Sequence, residues 1–237
     1  MPLQALELPA AADFHVHLRD GAMAAAVVPT VRRGGVNTVY VMPNLVPPVA
    51  TVEAALAYRA RLRALDPAVD YRMTLFLCPE VTPAVVRAAA AAGIAGVKSY
   101  PAGVTTNSDG GVVSYERYYD VFEAMEECGL VLNLHGECPA DERGGDVTIL
   151  NAEARFLPTL KTLHERFPRL RIVLEHCTTA DAVEAVRACG DTVVGTITSH
   201  HLFLTIDDAA SDVVSLLGTR LLDRNDAKRQ SFAFVSP

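Results

Sequence analysis

The sequence predicts an α/β chain whose parallel strands curl toward a barrel, on three observations. Short apolar or β-branched runs alternate with capped helical segments. The runs are nearly continuous in apolar residues, as in strands covered on both faces. No Gly-rich phosphate loop follows the first run, which removes the usual nucleotide-binding reason for an open doubly wound sheet.

Seven strands are expected, at Asp13–Leu18, Thr38–Met42, Arg72–Leu77, Gly96–Tyr100, Leu130–His135, Arg171–His176 and Thr192–Thr198. Helix starts and stops lie between them. Thr51 precedes Val52–Leu65; Thr82 and Pro83 open a helix that Gly93 closes; Ser114 precedes Tyr115–Cys128, with Gly129 behind it. Asn151 stands before an Ala-Glu-Ala-Arg-Phe run, and Thr179 opens a segment ending near Gly190. No sequence repeat underlies the rhythm.

Composition narrows the function classes. With 237 residues, half of them hydrophobic, one large domain can bury its own core. Twenty-one Lys+Arg against 28 Asp+Glu give a net charge of -7 without a long basic run, so nucleic acid is not an expected partner. The five cysteines, Cys78, Cys128, Cys138, Cys177 and Cys189, are odd in number and form no C-x-x-C pair, which argues against a disulfide framework and fits a reducing, cytoplasmic compartment. The longest apolar stretch, Ala88 to Val97, is too short to span a bilayer, and no membrane partner is expected.

In barrels the chemistry sits at the C-terminal ends of the strands. The first strand ends Phe14-His15-Val16-His17-Leu18-Arg19-Asp20, and the two-residue spacing puts both imidazoles on one face. An H-x-H pair alone also suits hydrogen-bonded strand histidines. Lys98 lies in the apolar fourth run, where a lone ammonium is costly; a buried ion pair is the plain reading. The fifth and sixth strands end in Leu134-His135-Gly136-Glu137 and Leu174-Glu175-His176. Four histidines and a lysine at the ends of strands one, four, five and six exceed what core packing requires.

The runs DFHVHLRDG, VMPNLVPPV, KSYPAGVTTNSDGG, LHGE, EARFLPTL, LEHCTTADAVEAV and TITSHHL resemble the single-function dihydroorotases of bacteria and fungi, within the amidohydrolase superfamily, over about residues 10 to 208. The resemblance implies a TIM-type (β/α)8 barrel and two zinc ions. His15 and His17 would bind the more buried metal, a carboxylated Lys98 would bridge both, and His135 and His176 would bind the second. It implies the reversible cyclisation of N-carbamoyl-L-aspartate to dihydroorotate, a step of pyrimidine biosynthesis, by a hydroxide held between the metals. It further implies that Arg19 and Asn44 hold the substrate carboxylate, with His135 also at the substrate, and that Thr105 and Thr106 belong to a lid. Without it, Arg19 is a solvated loop charge, Asn44 a turn residue and the Thr105–Thr106 loop ordinary. A homodimer is left open.

Other residues take plain readings: His164 a solvated helix residue, Cys177 a small buried side chain, and His200 and His201 no part of the site. Family members continue into an eighth strand with an Asp-Ser-Ala-Pro-His type motif, whose aspartate is metal ligand and proton shuttle. That motif does not occur here. The expected organisation is therefore a barrel over residues 1–208 lacking its eighth strand and a non-family tail over 209–237. Asp212, Asp223 and Asp226 lie in that tail, and no catalytic residue is assigned. The expectation is an incomplete or alternatively spliced reading of a longer gene, with little turnover. A catalytically impaired relative and a hydantoinase-like cyclic amidohydrolase are the alternatives; the Arg19 and Asn44 pair favours dihydroorotate.

Overall fold

A computed structural model describes residues 7–139 and 146–204. The expected tail, residues 209–237, lies outside them. Seven strands form one sheet in sequential order, every neighbouring pair parallel: β1 (Ala11–Val16), β2 (Val36–Val41), β3 (Asp70–Phe76), β4 (Gly96–Ser99), β5 (Val131–His135), β6 (Arg171–Glu175) and β7 (Val193–Gly195). This is the strand order of a TIM-type barrel short of its eighth strand. Among the described residues β1 and β7 remain edges, with Phe14 and Val194 exposed on them.

All seven predicted strands are present, most displaced by one or two residues at their ends. The largest difference is β7, which ends at Gly195 and not at Thr198. β1 ends at Val16, so His17 and Arg19 lie beyond the ladder. Arg19 has φ 59°, so the strand alternation that pairs His15 with His17 does not extend to it.

Helices α1 (Gly21–Arg33), α2 (Val52–Leu65), α3 (Pro83–Ala91), α4 (Tyr119–Cys128), α5 (Ala152–Arg166) and α6 (Ala180–Cys189) cross between strands. The caps read from sequence act as such at three of them. Thr51, Thr82 and Thr179 are extended and accept from the backbone N–H of Ala54, Val85 and Ala182. Gly129 closes α4 at φ 69°, a left-handed conformation that costs glycine nothing. Two differences have local causes. The Tyr115–Cys128 segment opens with a 3-10 turn over Tyr115–Tyr118, where the Ser114 hydroxyl bonds Glu116 and caps no backbone N–H. α1 has no counterpart among the predicted helices; Pro29 lies inside it and masks its signal, while Asp20 caps its first N–H.

The core runs between helices and sheet through Val39, Met73, Leu75, Val97, Leu132, Leu134, Ile172 and Leu174. These residues share the helix-facing side of the sheet, while the opposite side carries the buried polar residues Thr74, Lys98, Asn133, His135 and Glu175. No helix among the described residues is long and apolar enough to cross a membrane.

Candidate metal centre

Strand register brings the polar residues to one level. Lys98 of β4 pairs with Asn133 of β5, and His135, two residues on, pairs with Glu175 of β6. Asn133 and His135 share a strand face, as the period of two requires. The result is a polar centre in an apolar surround: Lys98, Asn133, His135, Glu175 and His176 are all buried. His15 and His17 join it from β1, with the His15 ring centroid 5.2 Å from those of both His17 and His176. The His135 and His176 rings stand 4.5 Å apart. All five residues that the sequence nominates as metal ligands thus converge.

Glu175 is the residue that sequence reasoning passed over. Its Oε2 bonds Lys98 Nζ and lies 3.1 Å from His15 Nδ1, and its Oε1 accepts from Asn133 Nδ2 at 2.8 Å. The plain reading of Lys98, a buried ion pair, describes its contact in this structure. The signal available in the sequence was a second charged residue in an apolar strand, directly before His176.

The His17 tautomer follows from its partner. His17 Nδ1 lies 2.8 Å from Asn44 Oδ1, and a carbonyl oxygen only accepts, so Nδ1 carries the hydrogen. His15 Nδ1 lies 3.1 Å from the Glu175 carboxylate, an ion-pair distance outside hydrogen-bond geometry. The His17 tautomer leaves its Nε2 as a lone-pair donor, and the Nε2 atoms of the two histidines lie 3.2 Å apart. Two nitrogens bound at 2.0–2.1 Å to a tetrahedral zinc stand about 3.3–3.4 Å apart, so the pair has the bite of a chelate. Backing of each imidazole by an acceptor on its other nitrogen is the usual outer arrangement of metal-binding histidines.

Three imidazole nitrogens of the centre, His15 Nδ1, His135 Nδ1 and His176 Nε2, are buried without a hydrogen-bond partner among the described residues. Unsatisfied buried nitrogens are uncommon and point to a missing ligand. His15, Glu175 and His176 can bring donor atoms within 4.8 Å of one another. His135 Nε2 is 2.6 Å from Glu137 Oε2. His176 takes φ 43°, unusual for a side-chain-bearing residue, with its N–H bonded to Thr196 Oγ1. Behind that bend, Glu153 of α5 accepts from the N–H of Thr178 and the hydroxyl of Thr179.

Three of the imidazoles are held toward the neutral form, the one that binds metal. Burial first, then neighbouring positive groups, holds His17 and His176 well below the usual histidine range. Burial also lowers His135, against the opposing pull of Glu137. Lys98 is lowered by burial, which outweighs Glu175. For Glu175, burial acts upward, but His15 and Lys98 outweigh it and pull the carboxyl down to about 2.

Asn44 is buried, and its side chain bridges two elements: Oδ1 to His17, and Nδ2 to the Thr106 carbonyl at 3.0 Å. Asn107 in turn donates to the Asn44 carbonyl, tying the loop after β4 to the centre. That loop is closed by Val112 N–H on Tyr100 O, an approach only glycine permits at 111, where a Cβ would lie 2.3 Å from the same oxygen. Thr105 Oγ1 is buried without a partner among the described residues. Arg19 is half-buried, and its charge acts on His17 and Tyr100. Of the residues read as plain, Cys177 is buried, whereas His164 is half-buried with Nδ1 3.5 Å from Thr192 Oγ1. His201 reaches His176 electrostatically.

The chain belongs to the amidohydrolase family: the family profile described as "Amidohydrolase" matches residues 12–196. Its similar proteins include dihydroorotases. A probable dihydroorotase of Schizosaccharomyces pombe is 58% identical over 207 residues, covering 87% of this chain and 60% of that protein. The dihydroorotase of Saccharomyces cerevisiae is 43% identical, over 99% of this chain and 68% of its own length. The crystal structure of the Saccharomyces cerevisiae dihydroorotase in complex with 5-fluoroorotic acid superposes with a TM-score of 0.82 at 43% identity, covering 91% of this chain and 64% of that one. The chain spans roughly three fifths to two thirds of the length of these relatives.

Proposed function

We propose that the chain carries the metal centre of a dihydroorotase and acts in the reversible cyclisation of N-carbamoyl-L-aspartate to dihydroorotate. The observation that carries this reading is the convergence of His15, His17, Lys98, His135 and His176 on one buried centre, in a chain whose relatives are dihydroorotases. Zinc, two ions per site, would polarise the reacting carbonyl and lower the pKa of an attacking water. His15 and His17 would hold the more buried ion through Nε2, and His135 and His176 the other. Lys98, carboxylated on Nζ, would bridge the two. Complete burial of Lys98 among imidazoles supports this, because a carbamate replaces a costly buried cation with an oxygen donor.

Arg19 supplies a planar fork for the substrate carboxylate. Asn44 keeps one Nδ2 hydrogen for the same group while the other holds Thr106. His135 stands close enough to both the metal centre and Tyr100 to reach the substrate. The loop carrying Thr105 and Thr106 closes over the centre and excludes water, supported by its anchorage to Asn44 and the unpaired Thr105 hydroxyl. The compartment is the cytoplasm, and a homodimer is the assembly proposed.

A second reading, a catalytically impaired relative that binds metal, is favoured by the β1 edge, which carries His15 and pairs with no further strand among the described residues. One experiment separates the two. The 237-residue protein, loaded with zinc in bicarbonate buffer, is assayed in both directions with N-carbamoyl-L-aspartate and with dihydroorotate. Turnover abolished by chelation and by Lys98→Ala supports the enzyme; stoichiometric zinc without turnover supports the impaired relative; absence of zinc binding overturns both.

A further inference from the structure

We propose that Glu175 is a positioning residue of this centre, and that Asn133 and Tyr40 act through it as a polar column setting the orientation of His15 and the place of Lys98. The proposal rests on the reading that His15 and Lys98 belong to a metal site.

The column is continuous. The Tyr40 hydroxyl on β2 donates to Asn133 Oδ1 on β5 at 2.8 Å. Asn133 Nδ2 donates to Glu175 Oε1 on β6 at 2.8 Å. Glu175 Oε2 then meets Lys98 of β4 and His15 of β1. Five strands contribute one residue each, and chemistry imposes the direction of the Tyr40–Asn133, Asn133–Glu175 and Lys98–Glu175 links. An ionised carboxylate accepts only, so the Asn133 amide must turn its NH2 toward Glu175 and its oxygen toward Tyr40. The phenol is then the donor. Glu175 Oε2 stands 3.1 Å from His15 Nδ1 as an ion-pair contact outside hydrogen-bond geometry, while His15 Nε2 lies 3.2 Å from His17 Nε2. Glu175 thus stands behind His15 as Asn44 stands behind His17, by proximity where Asn44 makes a hydrogen bond.

Two further observations favour a built device over an incidental ion pair. A fully buried carboxylate is costly unless all its lone pairs find donors, and Glu175 has donors on both oxygens. Second, the column needs room beneath β4: a Cβ at position 96 would lie 2.2 Å from the Tyr40 hydroxyl, and Gly96 is what stands there. If Lys98 is carboxylated and no longer an ammonium, Glu175 still keeps the Asn133 amide as a donor and its close contact with His15. The column thus serves His15 in either state of the lysine.

The test uses the full chain, stripped with chelator and titrated with Co2+ in bicarbonate buffer by calorimetry and visible absorption, for wild type, Glu175→Gln and Tyr40→Phe. Glu175→Gln should weaken binding on the order of 10–100-fold with unchanged stoichiometry and band positions, as expected for a group behind a ligand. Tyr40→Phe, remote from every proposed ligand, should weaken it in the same direction by a smaller factor. If Glu175→Gln does not fold, Tyr40→Phe decides alone. Wild-type affinity in the variants that fold, even with lower melting temperatures, assigns the column a structural role and overturns the proposal. Loss of one cobalt equivalent or displaced bands in Glu175→Gln makes Glu175 a ligand and overturns it as well. A wild-type protein that binds no cobalt overturns the metal site itself, and the column's role falls with it.

Discussion

Replacing Gly96 with alanine should be among the most disruptive single-methyl additions this chain can take. The new Cβ would stand 2.2 Å from the Tyr40 hydroxyl, 2.5 Å from the Val131 carbonyl and 3.1 Å from Asn133 Oδ1. The tyrosine can swing away, at the loss of its bond to Asn133. The carbonyl cannot, because Gly96 and Val131 are paired in the β4–β5 ladder. Overpacking of this kind costs about 1–3 kcal/mol, and the lost hydrogen bond about 0.5–1.5 more. The expected destabilisation is roughly 2–4 kcal/mol, a fall in melting temperature of about 4–16 °C for a chain of this size. Circular-dichroism melts of wild type, Gly96→Ala, Tyr40→Phe and the double variant measure it. The double variant should recover the part caused by the hydroxyl, a coupling of about 1 kcal/mol, and retain the part caused by the carbonyl. A Gly96→Ala protein melting within about 1 °C of wild type would show that β4 can move away from β5, and would refute the close-approach argument.

Glu153→Ala removes the carboxylate holding Thr178 and Thr179 and should cost about 1–3 kcal/mol by chemical denaturation; an unchanged midpoint would mean that water replaces it. Stability of the chelated protein should fall as pH drops below about 6.5, because His17, His135 and His176 have lowered folded-state values and the unfolded chain then binds the extra protons. The depressed Glu175 carboxyl acts with the same sign: its contribution is complete above about 4.5 and is lost as pH falls toward about 2. Melting temperatures flat from about pH 7 to 4.5 would contradict the histidine effect, and flat from about 4.5 to 2 the Glu175 effect. Arg19→Met should leave metal content intact and lower kcat/KM by the equivalent of about 2–5 kcal/mol; unchanged kinetics would return Arg19 to a solvated loop charge. Lys98→Ala should lose bound metal and activity, with partial rescue by short carboxylic acids; full metal occupancy in that variant would end the carbamate assignment.

By itself, the sequence determined the seven parallel strands, most of the helices between them, and the placing of four histidines and a lysine at strand ends. These features are written in local codes: apolar runs of strand length, threonines before helices, and an H-x-H spacing that the two-residue strand period turns toward one side. α1 escaped because Pro29 falsifies the local code, its missing N–H being tolerated by the packing of Ala24 and Val28 into the core. Only the tertiary structure decided what backs those histidines. Asn44 meets His17 across 27 residues, Glu175 meets Lys98 across 77, and Tyr40 meets Asn133 across 93. Such pairings depend on strand register and on space left by Gly96, neither of which a local pattern encodes. Glu175 read as one charge beside a histidine until β6 fell into register with β5. Its low carboxyl pKa exists only because the fold sets His15 and Lys98 beside it, against the upward push of burial.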